Sequence, residues 1–77
     1  MEETLKLIVE TLVTNKESVS IQKEENDETI KFKVSIPKEE MGRVIGRKGK
    51  IAQAIRTLIK SIASKEKKLA EVEFVEA

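Results

Sequence analysis

The stretch that most limits the possible folds is residues 30–36. Apolar and polar side chains alternate strictly along it, with Ile30, Phe32, Val34 and Ile36 on one side and Lys31, Lys33 and Ser35 on the other. This period of two is typical of a β-strand with one buried and one solvated face. The strand therefore belongs to a sheet that is packed on one side only. Pro37 ends it and suits the first turn of a helix.

Other periodicities predict the remaining elements. Leu5, Ile8, Val9 and Leu12 have helical spacing and predict a helix over residues 3–14, with Leu7 and Val13 off its apolar stripe, either half exposed or meeting a partner. Residues 18–22 alternate and predict a strand that forms a hairpin with 30–36 through an acidic turn at 24–28. A short helix over 38–45, a second helix from about 51 to 64 and a final strand over 70–74 follow.

The predicted order α-β-β-α-α-β leads to one architecture. The second and third strands are joined by two helices, so a right-handed crossover makes them parallel. We expect an α+β fold in two layers, a mixed three-stranded sheet with every helix on its one apolar face. Seventy-seven residues are enough for one domain with a small core, so residues 1–77 are predicted to form a single domain.

Charge is distributed unevenly along the chain. The formal net charge is only +1, yet residues 41–65 hold seven basic side chains and no acidic one, which leaves a balance of −6 elsewhere. These seven are Arg43, Arg47, Lys48, Lys50, Arg56, Lys60 and Lys65. A cationic segment within an acidic protein indicates an anionic partner such as nucleic acid.

A glycine-rich loop, Gly46-Arg47-Lys48-Gly49, lies between the two central helices. Its glycines let the backbone turn sharply and expose N–H groups, and the helix that follows begins with unpaired N–H groups that favour an anion. Two cationic side chains form the tip. The phosphate-binding loop of nucleotide hydrolases is excluded, because Val44 and Ile51 stand where that motif requires Gly and Ser or Thr. The dinucleotide fingerprint is excluded too, because Val44 occupies a required Gly position and a helix precedes the loop.

Residues 44–51, Val-Ile-Gly-Arg-Lys-Gly-Lys-Ile, resemble the signature of K-homology (KH) domains. The order of elements resembles their type II arrangement, so the resemblance covers nearly the whole chain. It implies a loop that clamps about four nucleotides of single-stranded RNA. The predicted RNA-binding residues are Gly46, Arg47, Lys48, Gly49, Arg43, Lys50, Ile45 and Ile51. Ala52, Ile55 and Ile36 are further groove candidates, and the sequence leaves open which isoleucines line the groove and which the core.

The resemblance also implies a cellular role and partners. It suggests an RNA chaperone or post-transcriptional regulator in the bacterial cytoplasm, linked to cell shape, cell wall biogenesis and division. It further suggests a homodimer and a heterocomplex with a larger KH-containing protein. Two alternatives remain beside RNA binding: a protein-interaction subunit that recruits such a partner, and a single-stranded DNA binder. The chain has no cysteine and no apolar run that could span a bilayer, in keeping with a cytoplasmic protein that does not enter membranes.

Other functions have little support in the residues. Without His, Cys or Tyr, catalysis has few groups to use, so we expect no enzyme activity, metal, cofactor or small-molecule substrate. Phe32 and Phe74 are the only aromatic residues and are predicted to face inward, which leaves no stacking platform and predicts weak binding with little sequence selectivity. Arg56 and Lys60, four positions apart on the second central helix, either extend the cationic patch or form a solvated helix face, and they are left outside the predicted site. Lys31 and Lys33 are predicted to pair with Glu71 and Glu73 across strands.

Overall fold

The computed structural model describes all 77 residues. Its elements are α1 (Glu2–Leu12), β1 (Ser20–Glu25), β2 (Thr29–Ile36), α2 (Lys38–Ile45), α3 (Lys50–Lys65) and β3 (Leu69–Glu76). Two short 3-10 turns, Lys16–Ser18 and Arg47–Gly49, precede β1 and α3. The predicted α-β-β-α-α-β order and α+β class are confirmed. None of the helices combines the length and the apolar character needed to cross a bilayer.

The sheet has the order β1-β2-β3, with the alternating strand β2 in the centre. β1 runs antiparallel to β2, and β3 runs parallel to it, with Thr29 opposite Leu69 and Ile36 opposite Glu76. The parallel pair follows from the crossover through α2 and α3, as the sequence predicts. β3 is consequently an edge strand, with β2 on one side and no strand on the other.

The core lies between the sheet and the three helices. All four apolar side chains of β2 are buried, and Phe32 is the largest fully buried side chain of the protein. The other elements contribute Leu5 and Val9 from α1, Val44 from α2, Ile55, Ile59 and Ala63 from α3, and Ala70 and Val72 from β3. Each large apolar side chain buried here contributes about 1.5–3 kcal/mol relative to exposure. The apolar face of the sheet, which the alternation in β2 predicts, is therefore the surface on which α2 and α3 pack.

The end of α1 differs from its prediction. The helix stops at Leu12, and Val13 has extended backbone angles (φ −95°, ψ 159°). Because helical spacing no longer applies at this position, the Val13 side chain turns inward and is only 7% exposed, so its predicted half-exposed placement is wrong. Leu7 is 67% exposed, as its position off the stripe predicts.

The hairpin turn is shorter than predicted. Glu24 and Glu25, placed in the turn by their charge, belong to β1 and lie opposite Lys31 and Ile30. Two cations stabilise Glu25 there, since Lys23 lies 3.1 Å from its carboxylate and Lys68 also forms an ion pair with it. The turn itself is closed by the Asn26 side-chain oxygen, which accepts hydrogen bonds from the N–H groups of residues 28 and 29 at 2.9 and 2.8 Å.

The outer face of the sheet carries the polar residues of β2 and β3. Lys31 Nζ lies 3.5 Å from Glu73 Oε2, which confirms one of the predicted cross-strand pairs. Its direct neighbour in the register is Glu71, so the observed pair is diagonal. Lys33 forms no ion pair, and its prediction as a pairing residue is wrong.

Candidate nucleic-acid interface

The loop between α2 and α3 is built from left-handed backbone conformations. Gly46, Lys48 and Gly49 all have positive φ, at 77°, 57° and 74°. The Gly46 N–H closes the last turn of α2 on the Gly42 carbonyl at 3.0 Å, and the Gly49 N–H bonds to the Gly46 carbonyl at 3.2 Å. With three of its four residues at positive φ, the loop reverses the direction of the chain, and the side chains at its tip are exposed. A lysine in this region is strained, and such strain is concentrated at functional loops.

Gly46 is required by packing as well as by its φ angle. A Cβ atom at this position would lie 2.6 Å from Ile51 Cγ1 and 2.9 Å from Ile51 Cβ. The Ile51 side chain thus occupies the space beneath the first glycine and supports the loop from the side of α3. It is still 36% exposed.

Gly49 is required for a different reason. It adopts the left-handed conformation directly before α3, and a Cβ there would meet nothing within 4 Å. No side chain caps α3. The N–H of its first residue, Lys50, bonds to the Arg47 carbonyl, and no side-chain acceptor takes up the N–H groups that follow in the first turn. An anion such as a phosphate can approach this end of the helix closely.

The cations around Gly49 are free of intramolecular partners. Arg47, Lys48 and Lys50 are all exposed, and none of them lies in an ion pair within the chain. Three unpaired positive charges therefore surround the open helix end. This arrangement is suited to a polyanion that lies along the loop.

Arg43, one turn before the loop, is the predicted cation that does have a partner. Its Nε lies 3.6 Å from Glu40 Oε1, while the side chain remains 58% exposed. Glu40 is the only buried charged residue. Its carboxylate accepts hydrogen bonds from the Thr14 hydroxyl at 2.7 Å and from the backbone N–H groups of Thr14 and Asn15 at 3.0–3.1 Å. The hydrogen bond from the Thr14 hydroxyl is the main cause that lowers the pKa of Glu40 below 4.5, followed by the backbone bonds.

Replacing Glu40 with Gln is expected to lower the thermal midpoint at neutral pH, because the charge-assisted bonds to Thr14 and Asn15 weaken. A carboxyl whose folded pKa is depressed contributes stability above its unfolded value of 4.5, and this contribution disappears as pH falls through the lower folded value. The difference between wild type and Glu40→Gln should therefore shrink below pH 4.5. Thermal melts by circular dichroism at neutral and acidic pH check this. A difference that stays constant with pH would contradict it.

Arg56 occupies a position that its sequence pattern does not reveal. Its Nε donates a 3.1 Å hydrogen bond to the Val72 carbonyl of β3, and its guanidinium carbon lies 5.5 Å from the centre of the Phe74 ring. The side chain is half-buried, so it is neither a solvated helix face nor part of the apolar core. Helical spacing predicts only that Arg56 lies beside the apolar stripe of α3. Its partners, the Val72 carbonyl and the Phe74 ring, are on β3, which lies next to α3 only in the folded protein.

The apolar groove candidates divide into two groups. Ile36, Ala52 and Ile55 are at most 4% exposed and belong to the interior. Ile45 is half-buried at the end of α2, and Ile51 is partly exposed beneath Gly46. Only the last two present apolar surface next to the loop.

Comparison with known proteins adds to this geometry. A profile described as KhpA/KhpB, KH domain, matches residues 2–74. The chain belongs to this KH-domain family. It is 47% identical over 76 residues to the RNA-binding protein KhpA of Listeria monocytogenes, an alignment that covers 99% of this chain and all of the relative. No solved structure matches.

More distant members of the KhpA group align over nearly the same length. The RNA-binding protein KhpA of Caldanaerobacter subterraneus is 43% identical over 75 residues, covering 97% of this chain and all of the relative. That of Chlamydia trachomatis is 34% identical over 76 residues, covering 99% of this chain and 97% of the relative. The KH-domain family is not a family of enzymes.

Proposed function

We propose that this protein binds single-stranded RNA through the loop Gly46-Arg47-Lys48-Gly49 and the adjoining start of α3. The observation that carries the proposal is the open end of α3, where Gly49 leaves the helix unobstructed and three exposed cations have no partner within the chain. The relatives named above are RNA-binding proteins. Arg43, Lys50, Ile45 and Ile51 complete the proposed site at the edges of the loop.

Phosphate contacts supply most of the affinity in this proposal. Phe32 is fully buried, and Phe74 is half-buried beneath Arg56, so neither ring is free to stack on a base. Phosphates lie on the loop and the first turn of α3, while bases turn toward the half-buried isoleucines and the neighbouring strand. A single domain of this kind binds weakly.

Affinity is expected to fall steeply with salt. If three or four phosphates are neutralised at about −0.7 each, the slope of log affinity against log salt is about −2 to −3. Fluorescence anisotropy of a short labelled single-stranded RNA, titrated at several potassium chloride concentrations, measures this slope. A slope near zero would reject a mode dominated by phosphate contacts. DNA of the same sequence in the same assay separates RNA binding from general binding of single strands.

We extend the proposal to the cellular role. A small domain that holds single-stranded RNA weakly through its backbone is suited to an RNA chaperone or a post-transcriptional regulator in the cytoplasm. The link to bacterial cell shape, cell wall biogenesis and division belongs to the same proposal and rests on the KH-family resemblance.

A second candidate function is protein interaction, either as a homodimer or in a heterocomplex with a larger KH-containing protein. The observation that favours it is exposed apolar surface. Leu58 is 42% exposed and lies two turns after Ile51 on the same side of α3, and Leu7 is 67% exposed on α1. Contacts of this kind would leave the charged tip of the loop accessible, so the two functions are compatible.

A further inference from the structure

Arg56 is held in one orientation on the free edge of β3. The N–H groups of Leu69 and Ala77 donate hydrogen bonds to the carbonyls of residues 28 and 36. The odd-numbered residues of β3 therefore point their backbone N–H and C=O groups toward β2. In a parallel pair, alternate residues point the opposite way. The backbone groups of residues 70, 72, 74 and 76 therefore point away from the sheet, and the Val72 carbonyl that Arg56 binds is one of them.

The same flank of α3 leads from the glycine loop to Arg56. Residues 49, 53, 56 and 60 are separated by four, three and four positions, which places them along one side of a helix. Arg56 is thus about 10 Å along the helix from Gly49. A single strand whose phosphates lie on the loop reaches Arg56 within about two nucleotides when it continues along this flank.

Charges across this edge have opposite signs on its two sides. On the α3 side, Lys60 is exposed and unpaired. On the strand side, Lys31 forms an ion pair with Glu73, which leaves the carboxylate of Glu71 as the unpaired charge of β3. A depression lies between the helix side and the strand side of this edge. It is lined by Lys31, Arg56, Lys60, Glu71, Val72 and Glu73. A polyanionic backbone is attracted to the helix side and repelled by the strand side. Bases, which are uncharged, are therefore the part of a bound strand that turns toward β3.

We propose that Arg56 reads one base of the bound strand, an inference that rests on the RNA binding proposed above. Its Nε–H is used by the Val72 carbonyl, which leaves the N–H groups of both terminal nitrogens to bond side by side with two acceptors. The Phe74 ring beneath the guanidinium and the bond to β3 reduce the conformational entropy that such a contact costs.

Two adjacent acceptors occur on only some bases. Guanine presents O6 and N7, and cytosine presents O2 and N3. Adenine and uracil have no two adjacent acceptors, so they satisfy only one of the two arginine nitrogens. Arg56 therefore favours guanine or cytosine at one position, against the low selectivity that the sequence predicts for the rest of the strand.

The test uses short uridine oligomers that carry one central guanosine, cytidine, adenosine or uridine, titrated with the full chain by fluorescence anisotropy. Guanosine or cytidine is expected to raise affinity about fivefold or more over adenosine and uridine. Replacing the preferred base with 7-deazaguanosine or 3-deazacytidine removes one acceptor and should abolish the gain. This part of the test leaves the protein unchanged, so it decides the proposal even if substitutions at residue 56 disturb the fold.

The variant Arg56→Lys keeps the charge but loses the paired donors. It should bind all four oligomers equally, whereas Arg47→Lys, the matched control on the loop, should keep the base preference of wild type. Equal wild-type affinity for the four bases, or a preference that survives Arg56→Lys, overturns the role of Arg56 and leaves the proposed RNA binding intact. Failure of every oligomer to bind would overturn the proposed function itself.

Discussion

Reversing both charges at the tip of the loop, in the variant Arg47→Asp/Lys48→Asp, is expected to reduce affinity for single-stranded RNA about a hundredfold or more. Each side chain is exposed and unpaired, so each can donate charge-assisted hydrogen bonds to phosphate worth about 1.5 kcal/mol or more. Two lost contacts together amount to about 3 kcal/mol, and the new carboxylates add repulsion. Fluorescence anisotropy, after circular dichroism has shown that the variant folds, measures the loss.

The matched control carries the same net charge at the other end of α3. Lys65→Asp/Lys67→Asp reverses two exposed lysines, one at the last residue of the 16-residue helix and one just after it, about 24 Å from the loop. It should bind a short RNA nearly as well as wild type. Equal losses in both variants would mean that net charge, and not the loop, carries the binding. If the loop variant binds as tightly as wild type while it still self-associates in sedimentation experiments, protein interaction becomes the first candidate function.

The three glycines are expected to respond very differently to alanine. Gly46→Ala combines a left-handed backbone with a 2.6 Å contact to Ile51, and should cost about 2–4 kcal/mol of unfolding free energy. That corresponds to a fall of roughly 10 to 20 °C in the thermal midpoint. Gly49→Ala meets no neighbour and carries only the backbone strain, about 1 kcal/mol. Thermal melts of the two variants measure the difference.

RNA binding separates the two glycines further. Gly49→Ala should weaken binding although most molecules remain folded, because its methyl group projects into the open space that a phosphate would occupy. Gly42→Ala is the control, since Gly42 lies within α2, has an ordinary helical backbone and open space around it, and should gain about 0.5–1 kcal/mol. A Gly46→Ala variant as stable as Gly49→Ala would contradict the role assigned to the Ile51 contact.

The candidate site was only partly visible in the sequence. The loop itself could be predicted, because a glycine pair between two helical patterns and a run of basic residues are local features. The contacts of Arg56 could not be predicted, because they are made with the Val72 carbonyl and the Phe74 ring, which are 16 and 18 positions later in the chain. The partners of Glu40 could not be predicted either, because residues 14 and 15 follow α1 and are 26 and 25 positions earlier in the chain.

The sequence by itself determined the order of elements, the one-sided sheet and the position of the loop. Strand alternation, helical spacing and glycine conformation act over a few residues, so these features needed no knowledge of distant contacts. Only the tertiary structure decided which isoleucines are buried, that Val13 turns inward, and that Arg56 lies against the edge of β3. Burial and hydrogen bonding between distant segments depend on how the helices dock on the sheet, and local periodicity does not specify that arrangement.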